Sequence, residues 1–231
     1  MQKWEGLGDK FNLEKYFHAR ELCCATVELI HQKIESGMRE IDGQLLIKDE
    51  FRKAGVAKFW HPAKFRIGKD TLKSFRELPD PTLQISAGEI FFIDVGPIID
   101  EHEADYGKTF VFEDQDKTST QLSADTAVKK LAEATIEVWQ ETQRNWSQES
   151  LTGAALYAAA EKSAQKLGYR LNMEMGGHRL GDFPHALFTK EDLAAVADFV
   201  PAPNLWVLEI HLCSDALQRG AFFEDILTRP E

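Results

Sequence analysis

Apolar residues at Cys23, Val27, Ile30 and Ile34 recur at helical spacing behind Asn12, a suitable N-cap. They predict a helix from Asn12 to about Ser36, with Gly37 as its stop. A second helical pattern runs from Ile41 to Ala54 and ends at Gly55. Short apolar stretches at Ala57–Trp60 and Ala63–Ile67 read as strands, and the proline-bearing stretch 77–88 reads as turns. Strands are expected at Glu89–Ile99 and Thr109–Phe112, followed by a polar loop, EDQDKTST. Ser123 is placed to cap a third helix, with Val128, Leu131, Thr135 and Val138 on one face. Thr152 is placed to cap a fourth, closed by Gly168. A glycine-rich loop around His178 leads to strands at Leu205–Leu212 and Ala221–Leu227. The order is two helices and strands, then two helices and strands again, which predicts one α+β domain.

Composition narrows the partners. The 231 residues are 43% hydrophobic and 28% charged, enough for a sizeable core. A formal net charge of −11 argues against nucleic acid and against anionic membranes. Three cysteines, at 23, 24 and 213, give no disulfide framework. The N-terminal MQKWEGLGDK has no apolar segment of a secretory signal, and no run approaches the roughly 18 apolar residues of a membrane span. The expectation is a soluble, cytoplasmic protein.

The chemistry is carried by acids in apolar surroundings. Asp94 sits inside FFIDV, where a buried carboxylate needs a donor, a cation or a metal. Asp105 follows eleven residues later, ahead of another apolar run. By itself this pair fits two acids that cap turns equally well. Asp100, Glu101 and Glu103 between them read as a solvated acidic turn, and His102 as part of it. His178 and His185 lie seven residues apart in a glycine-rich loop; a lone loop histidine is more often structural, and two shift that balance. Glu209 lies within LWVLEIHL and Glu224 within GAFFEDILT, where Asp225 must point the other way. Four acids with one histidine suit hard or borderline divalent ions such as Mn²⁺, Fe²⁺, Co²⁺ or Zn²⁺. Four carboxylates carry too much charge for one ion; two ions about 3.5 Å apart would balance it.

The set Asp94, Asp105, His178, Glu209 and Glu224, with its steps of eleven residues from Asp94 and seven from His178 to His185, resembles the signature of the pita-bread metallopeptidases. That superfamily includes methionine aminopeptidase, prolidase, aminopeptidase P and creatinase. The resemblance runs from about Leu13 to Thr228. It implies two pseudo-symmetric halves sharing a curved antiparallel sheet flanked by helices, with residues 1–231 as a single catalytic domain lacking the separate N-terminal domain of prolidases. It implies that Asp94 chelates one metal, that Asp105 and Glu224 bridge two, and that His178 and Glu209 complete the second. The implied reaction is attack by a metal-bridged water on the scissile carbonyl. Glu209 would be general base and proton shuttle, and His185 would hydrogen-bond the substrate carbonyl.

Departures from the pattern fall around the substrate. Nineteen residues before Asp94, where the family usually has a substrate-contacting histidine, the chain has Phe75. His185 is followed by Ala186, Leu187 and Phe188 in place of Glu-x-Pro, and Glu209 by Ile210 and His211 in place of proline. Lys108-Thr109 replaces Arg-Thr, and His61-Pro62 replaces Phe-Pro or Tyr-Pro. His61, Phe75 and His211 are therefore candidate substrate contacts; for His211, packing at the pocket wall is an equal alternative. Trp60 and Trp206 are candidates to line the site, whereas Trp4, Trp139 and Trp146 read as core, and His18 and His31 as helix surface. The expected function is a dinuclear-metal exopeptidase of the Xaa-Pro type, acting on peptides, with a homodimer left open. The alternatives are a hydrolase of a non-peptide amide and a catalytically silent pita-bread binding module. The latter is marked by lost ligands, and no ligand is lost here.

Overall fold

The computed structural model describes residues 3–113 and 125–229. The expected Ser123 cap and most of the EDQDKTST loop lie outside the described residues. Asn12 caps α1 (Leu13–His31) as expected, its side chain accepting from the Lys15 N–H. The helix ends five residues before Ser36. Lys33 N–H bonds back to the Ile30 carbonyl and Ile34 N–H to that of His31, a tightened turn that still buries Ile34. Helix α2 (Glu40–Lys53) ends just before Gly55, whose φ of +85° lets the chain reverse. In the second half α3 spans Asp125–Glu149, and α4 (Gly153–Lys166) starts from the Thr152 cap and closes ahead of Gly168 at φ +81°.

The strands are β1 (Lys58–Phe59), β2 (Lys64–Ile67), β3 (Ile90–Val95), β4 (Pro97–Ile99), β5 (His102–Glu103), β6 (Tyr106–Val111), β7 (Arg170–Leu171), β8 (His178–Arg179), β9 (Trp206–Ser214) and β10 (Arg219–Ile226). Strand β6 begins three residues before the expected Thr109, because it pairs with β3 along its whole length, from Val95 with Tyr106 to Ile90 with Val111. Gly107 and Lys108 hide those first positions from an apolar pattern.

A seven-stranded antiparallel sheet has the order β2-β3-β6-β10-β9-β7, with β8 also pairing to β9; β1, β4 and β5 form a smaller sheet. One face of the large sheet is covered by helices. Phe91, Ile93 and Val95 of β3 share a core with Val27, Ile30, Ile47 and Phe51 of α1 and α2. Leu208, Ile210 and Leu212 of β9 share another with Leu131, Val138, Leu156 and Ala160 of α3 and α4. Each fully buried Leu, Ile or Phe contributes about 1.5–3 kcal/mol, so each helix pair anchors its own half of the sheet. Alternation then commits the residues between these apolar positions to the opposite face.

On that opposite face one row of paired positions crosses five strands: Lys64, Asp94, Gly107, Glu224 and Glu209. Register, not loop geometry, places three carboxylates side by side. A Cβ at Gly107 would fall 2.7 Å from Glu224 Oε1 and 2.5 Å from Phe222 Cε1, so the glycine gives the Glu224 carboxylate its room.

Candidate metal centre

Asp94 and Glu224 come from the middle of the row, and Glu209 from its β9 end. Asp105 lies immediately before β6, and His178 opens β8 against Val207. The first half of the chain thus supplies Asp94 and Asp105, and the second His178, Glu209 and Glu224. All five line one cavity of about 400 Å³, together with Trp60, His61, Lys64, Phe75 and His185. Asp105 is the hub. Its Oδ2 lies 2.7 Å from His178 Nε2 and its Oδ1 3.3 Å from His61 Nε2. His61 Nε2 is also 3.5 Å from Asp94 Oδ1, and His178 Nε2 is 3.7 Å from Glu209 Oε1.

Burial and crowding disturb these groups strongly. Burial pushes Glu224 well above the usual carboxylate range, and Asp105, Asp94 and Glu209 push it further. Glu209 is raised to about 7, first by burial, with His178 opposing. Burial also raises Asp94, against the pull of His61. Asp105 is held below its ordinary value because its bonds to His178 and His61 outweigh the burial that would raise it. Burial alone would lower both imidazoles, yet the facing carboxylates lift His61 and His178 to about 9. Four acids compete for too few protons, and Glu224 Oε1 is buried with no hydrogen-bond partner among the described residues. A donor set of carboxylate oxygens and imidazole nitrogens with an orphaned buried oxygen fits divalent cations. His61, Asp94 and Asp105 form one group whose ligand atoms lie within 4.8 Å of one another, and Asp105, His178 and Glu224 form a second.

The remaining expected site residues divide. His185 reaches the cavity from the short 3-10 turn His185–Leu187. Phe75 stands half-exposed at the mouth, its carbonyl accepting from Lys64 Nζ at 2.7 Å. His211 does not reach the cavity. It is buried, its Nε2 2.8 Å from the Thr71 carbonyl and its Nδ1 3.1 Å from Asn172 Nδ2, and burial lowers it to about 4. The face it shares with Glu209 is correct, but two residues along β9 carry it past the site and under the turn Gly68–Leu72. Trp206 is likewise in the core, donating to Glu5 Oε1 at 2.9 Å. Trp60 does line the site, edge-on to His61, His178 and His185 at ring distances of 4.3, 4.9 and 5.0 Å.

Glu103 was expected in a solvated turn and is instead 1% exposed. Its Oε2 lies 2.7 Å from His185 Nδ1, and its Oε1 accepts the His185 backbone N–H at 3.1 Å. A carboxylate accepts, so this pair fixes a proton on Nδ1 and turns Nε2 to the cavity. His102 is buried too, its Nε2 accepting the Asn12 N–H at 2.8 Å. The solvated part of the turn is Asp100 and Glu101 alone. Asp225 points away from Glu224, as expected, and pairs with Arg20 of α1.

Comparison with known proteins places this geometry. No curated protein sequence gives a significant match. Among solved structures, the chain is similar to an X-Pro aminopeptidase from Thermotoga maritima (TM-score 0.74, 18% identity, covering 95% of this chain and 60% of that one). It is similar to a prolidase from Thermococcus sibiricus (TM-score 0.74, 16% identity, 95% and 56% covered). It is also similar to a methionine aminopeptidase from Thermotoga maritima (TM-score 0.69, 15% identity, 94% and 96% covered). The chain therefore spans about 60% of the length of the first two and nearly all of the third. The shared fold is the pita-bread fold, with its two halves meeting at β6 and β10. The profile of metallopeptidase family M24 matches residues 14–226, which takes in every strand and helix that contributes to the cavity, and the chain belongs to that family.

Proposed function

We propose that the chain is a dinuclear-metal exopeptidase of the Xaa-Pro type. The observation that carries this reading is the convergence of Asp94, Asp105, His178, Glu209 and Glu224, from both halves of the fold, on one cavity. Two divalent cations held there would supply Lewis-acid activation of water and of the scissile carbonyl. Asp105 and Glu224, central among the ligands, would span both ions. Glu209, at the edge of the row and 12% exposed, is placed to take a proton and return it to the leaving amine. His185 Nε2 faces the substrate. Held by the buried Glu103 carboxylate at 2.7 Å from Nδ1, the ring would orient toward the substrate carbonyl.

The cavity mouth supports a short, zwitterionic substrate. Its lining includes Glu174 and Asp192 as well as Lys64, so a peptide ammonium and carboxylate would each find an opposite charge. Phe75 offers an apolar surface against which a proline ring would pack. Three free cysteines suit a reducing, cytoplasmic setting.

The test is turnover of Xaa-Pro dipeptides, Xaa-Pro tripeptides and Met-initiated peptides after loading with Mn²⁺, Co²⁺, Fe²⁺ or Zn²⁺. Cleavage confined to Xaa-Pro bonds is expected. Cleavage of Met-initiated peptides alone would move the chain to the methionine aminopeptidase type. No cleavage of any peptide by metal-loaded protein would favour a non-peptide amide, and failure to take up metal would favour a binding module.

A further inference from the structure

We propose that His61 is itself a metal ligand, so that each of the two ions has its own imidazole, where the resemblance assigned a single histidine, His178, to the pair. The proposal rests on the dinuclear reading above and adds a sixth protein ligand to it.

The two rings are held alike. His61 Nδ1 lies 3.1 Å from the carbonyl oxygen of Pro62, the next residue, and His178 Nδ1 lies 2.8 Å from the carbonyl oxygen of Arg179, also the next residue. A carbonyl only accepts, so each Nδ1 carries a proton, and each neutral ring presents its lone pair from Nε2. Fixing of one ring nitrogen by a backbone carbonyl is the usual way a ligating histidine is oriented. The two Nε2 atoms then face the same carboxylate from its two sides, His61 toward Asp105 Oδ1 and His178 toward Asp105 Oδ2.

On the His61 side the acceptors are three. Nε2 is 3.3 Å from Asp105 Oδ1 and 3.5 Å from Asp94 Oδ1. Three potential donor atoms turned toward one point suit a shared cation between them. Ligand atoms each about 2.1 Å from a common ion lie about 3 to 3.5 Å from one another, which is the spacing seen. The corresponding group on the other side is Asp105, His178 and Glu224.

The ring is seated for this task. A Cβ at Gly96 would fall 2.3 Å from His61 Cδ2 and 2.3 Å from Trp60 Nε1, so a glycine is what lets both rings close on the end of β3. Trp60 is fixed in turn by donating to the Ala104 carbonyl at 3.1 Å. A substrate contact by His61 would need a free ring nitrogen toward the cavity centre, and both are engaged. A second nitrogen donor also shifts metal preference away from Mn²⁺ and toward Co²⁺ or Zn²⁺.

The test uses the full chain loaded with Co²⁺. Each ligating imidazole gives one exchangeable, paramagnetically shifted Nδ1–H proton resonance. Two such resonances are expected at two equivalents of Co²⁺, with His61→Phe removing one and His178→Gln the other. Calorimetric titration of His61→Phe, whose ring matches the family's usual residue in bulk, should show one of two sites weakened at least tenfold. Two bound ions with one shifted imidazole, or two that both survive His61→Phe, would overturn the assignment and leave the dinuclear reading standing. Failure to bind two ions would overturn both. The wild-type resonance count decides even if a variant does not fold.

Discussion

Gly107→Ala tests whether the carboxylate row is spaced by its glycine. The added Cβ would lie 2.5 and 2.9 Å from two carbons of the Phe222 ring and 2.7 Å from Glu224 Oε1. Phe222 is wedged against Phe92 and His211 at ring distances of 5.4 and 6.0 Å and has little room to yield. The Glu224 carboxylate must therefore give way. Overpacking of this kind costs about 1–3 kcal/mol. In a domain of this size that is a fall in Tm of about 2 to 12 °C. Displacing one ligand should also weaken metal binding at least tenfold, since ligand positions tolerate only about 0.2 Å. Differential scanning calorimetry of metal-free protein and calorimetric titration with Mn²⁺ read the two effects separately. Gly43→Ala is the control: its Cβ would strike Phe65 at 2.2 Å, in the α2 packing, so it should lower Tm and leave metal binding intact. Unchanged metal affinity in Gly107→Ala, or equal loss of affinity in both variants, would refute the reasoning.

Other consequences follow from the same geometry. Metal-free protein titrated with Mn²⁺ to a hundred times Kd should gain about 2.7 kcal/mol, a rise in Tm of about 5 to 10 °C; no shift would deny a resident metal. Glu103→Gln should lower kcat about tenfold to a hundredfold with metal content unchanged, as loss of a group that orients a functional histidine does; parallel loss of metal would assign Glu103 to the ligands instead. His211→Ala should leave kcat/KM within about twofold while lowering Tm, because it breaks one buried and one part-buried hydrogen bond, each worth roughly 1 kcal/mol; a collapse of turnover in folded protein would return His211 to the site. Burial lowers His31, which stacks on Phe110 at 4.2 Å beside Lys108, Glu28 and Glu113. A depressed imidazole contributes stability above its unfolded pKa and loses it as pH falls, so from pH 8 to 5 the Tm of wild type should drop more steeply than that of His31→Phe.

What could be read along the chain, and what could not, divides by the range of the interaction. Helices α2 and α4 were legible to within a residue or two because caps and apolar stripes are local. Asp94, Glu209 and Glu224 stand out because a carboxylate among Phe, Ile, Leu and Val is anomalous wherever the chain goes, whereas Asp105 and His178 are reached only through their spacing and, for His178, the glycine-rich loop. Glu103 carries no such anomaly: it sits among Asp100, Glu101 and His102, and its carboxylate meets its partner 82 residues away, at His185. Arg20 and Asp225, 205 residues apart, are the same case on the helical face. His211 failed in the opposite direction, since a shared strand face fixes direction and not distance along the strand. Gly107 is the most instructive residue. In sequence it is a weak strand former between a tyrosine and a lysine. In the sheet it is the one position of the row without a side chain, set between Asp94 and Glu224. A site built by register needs an empty place as much as it needs ligands, and a search for chemistry-bearing side chains passes over the residue that carries none.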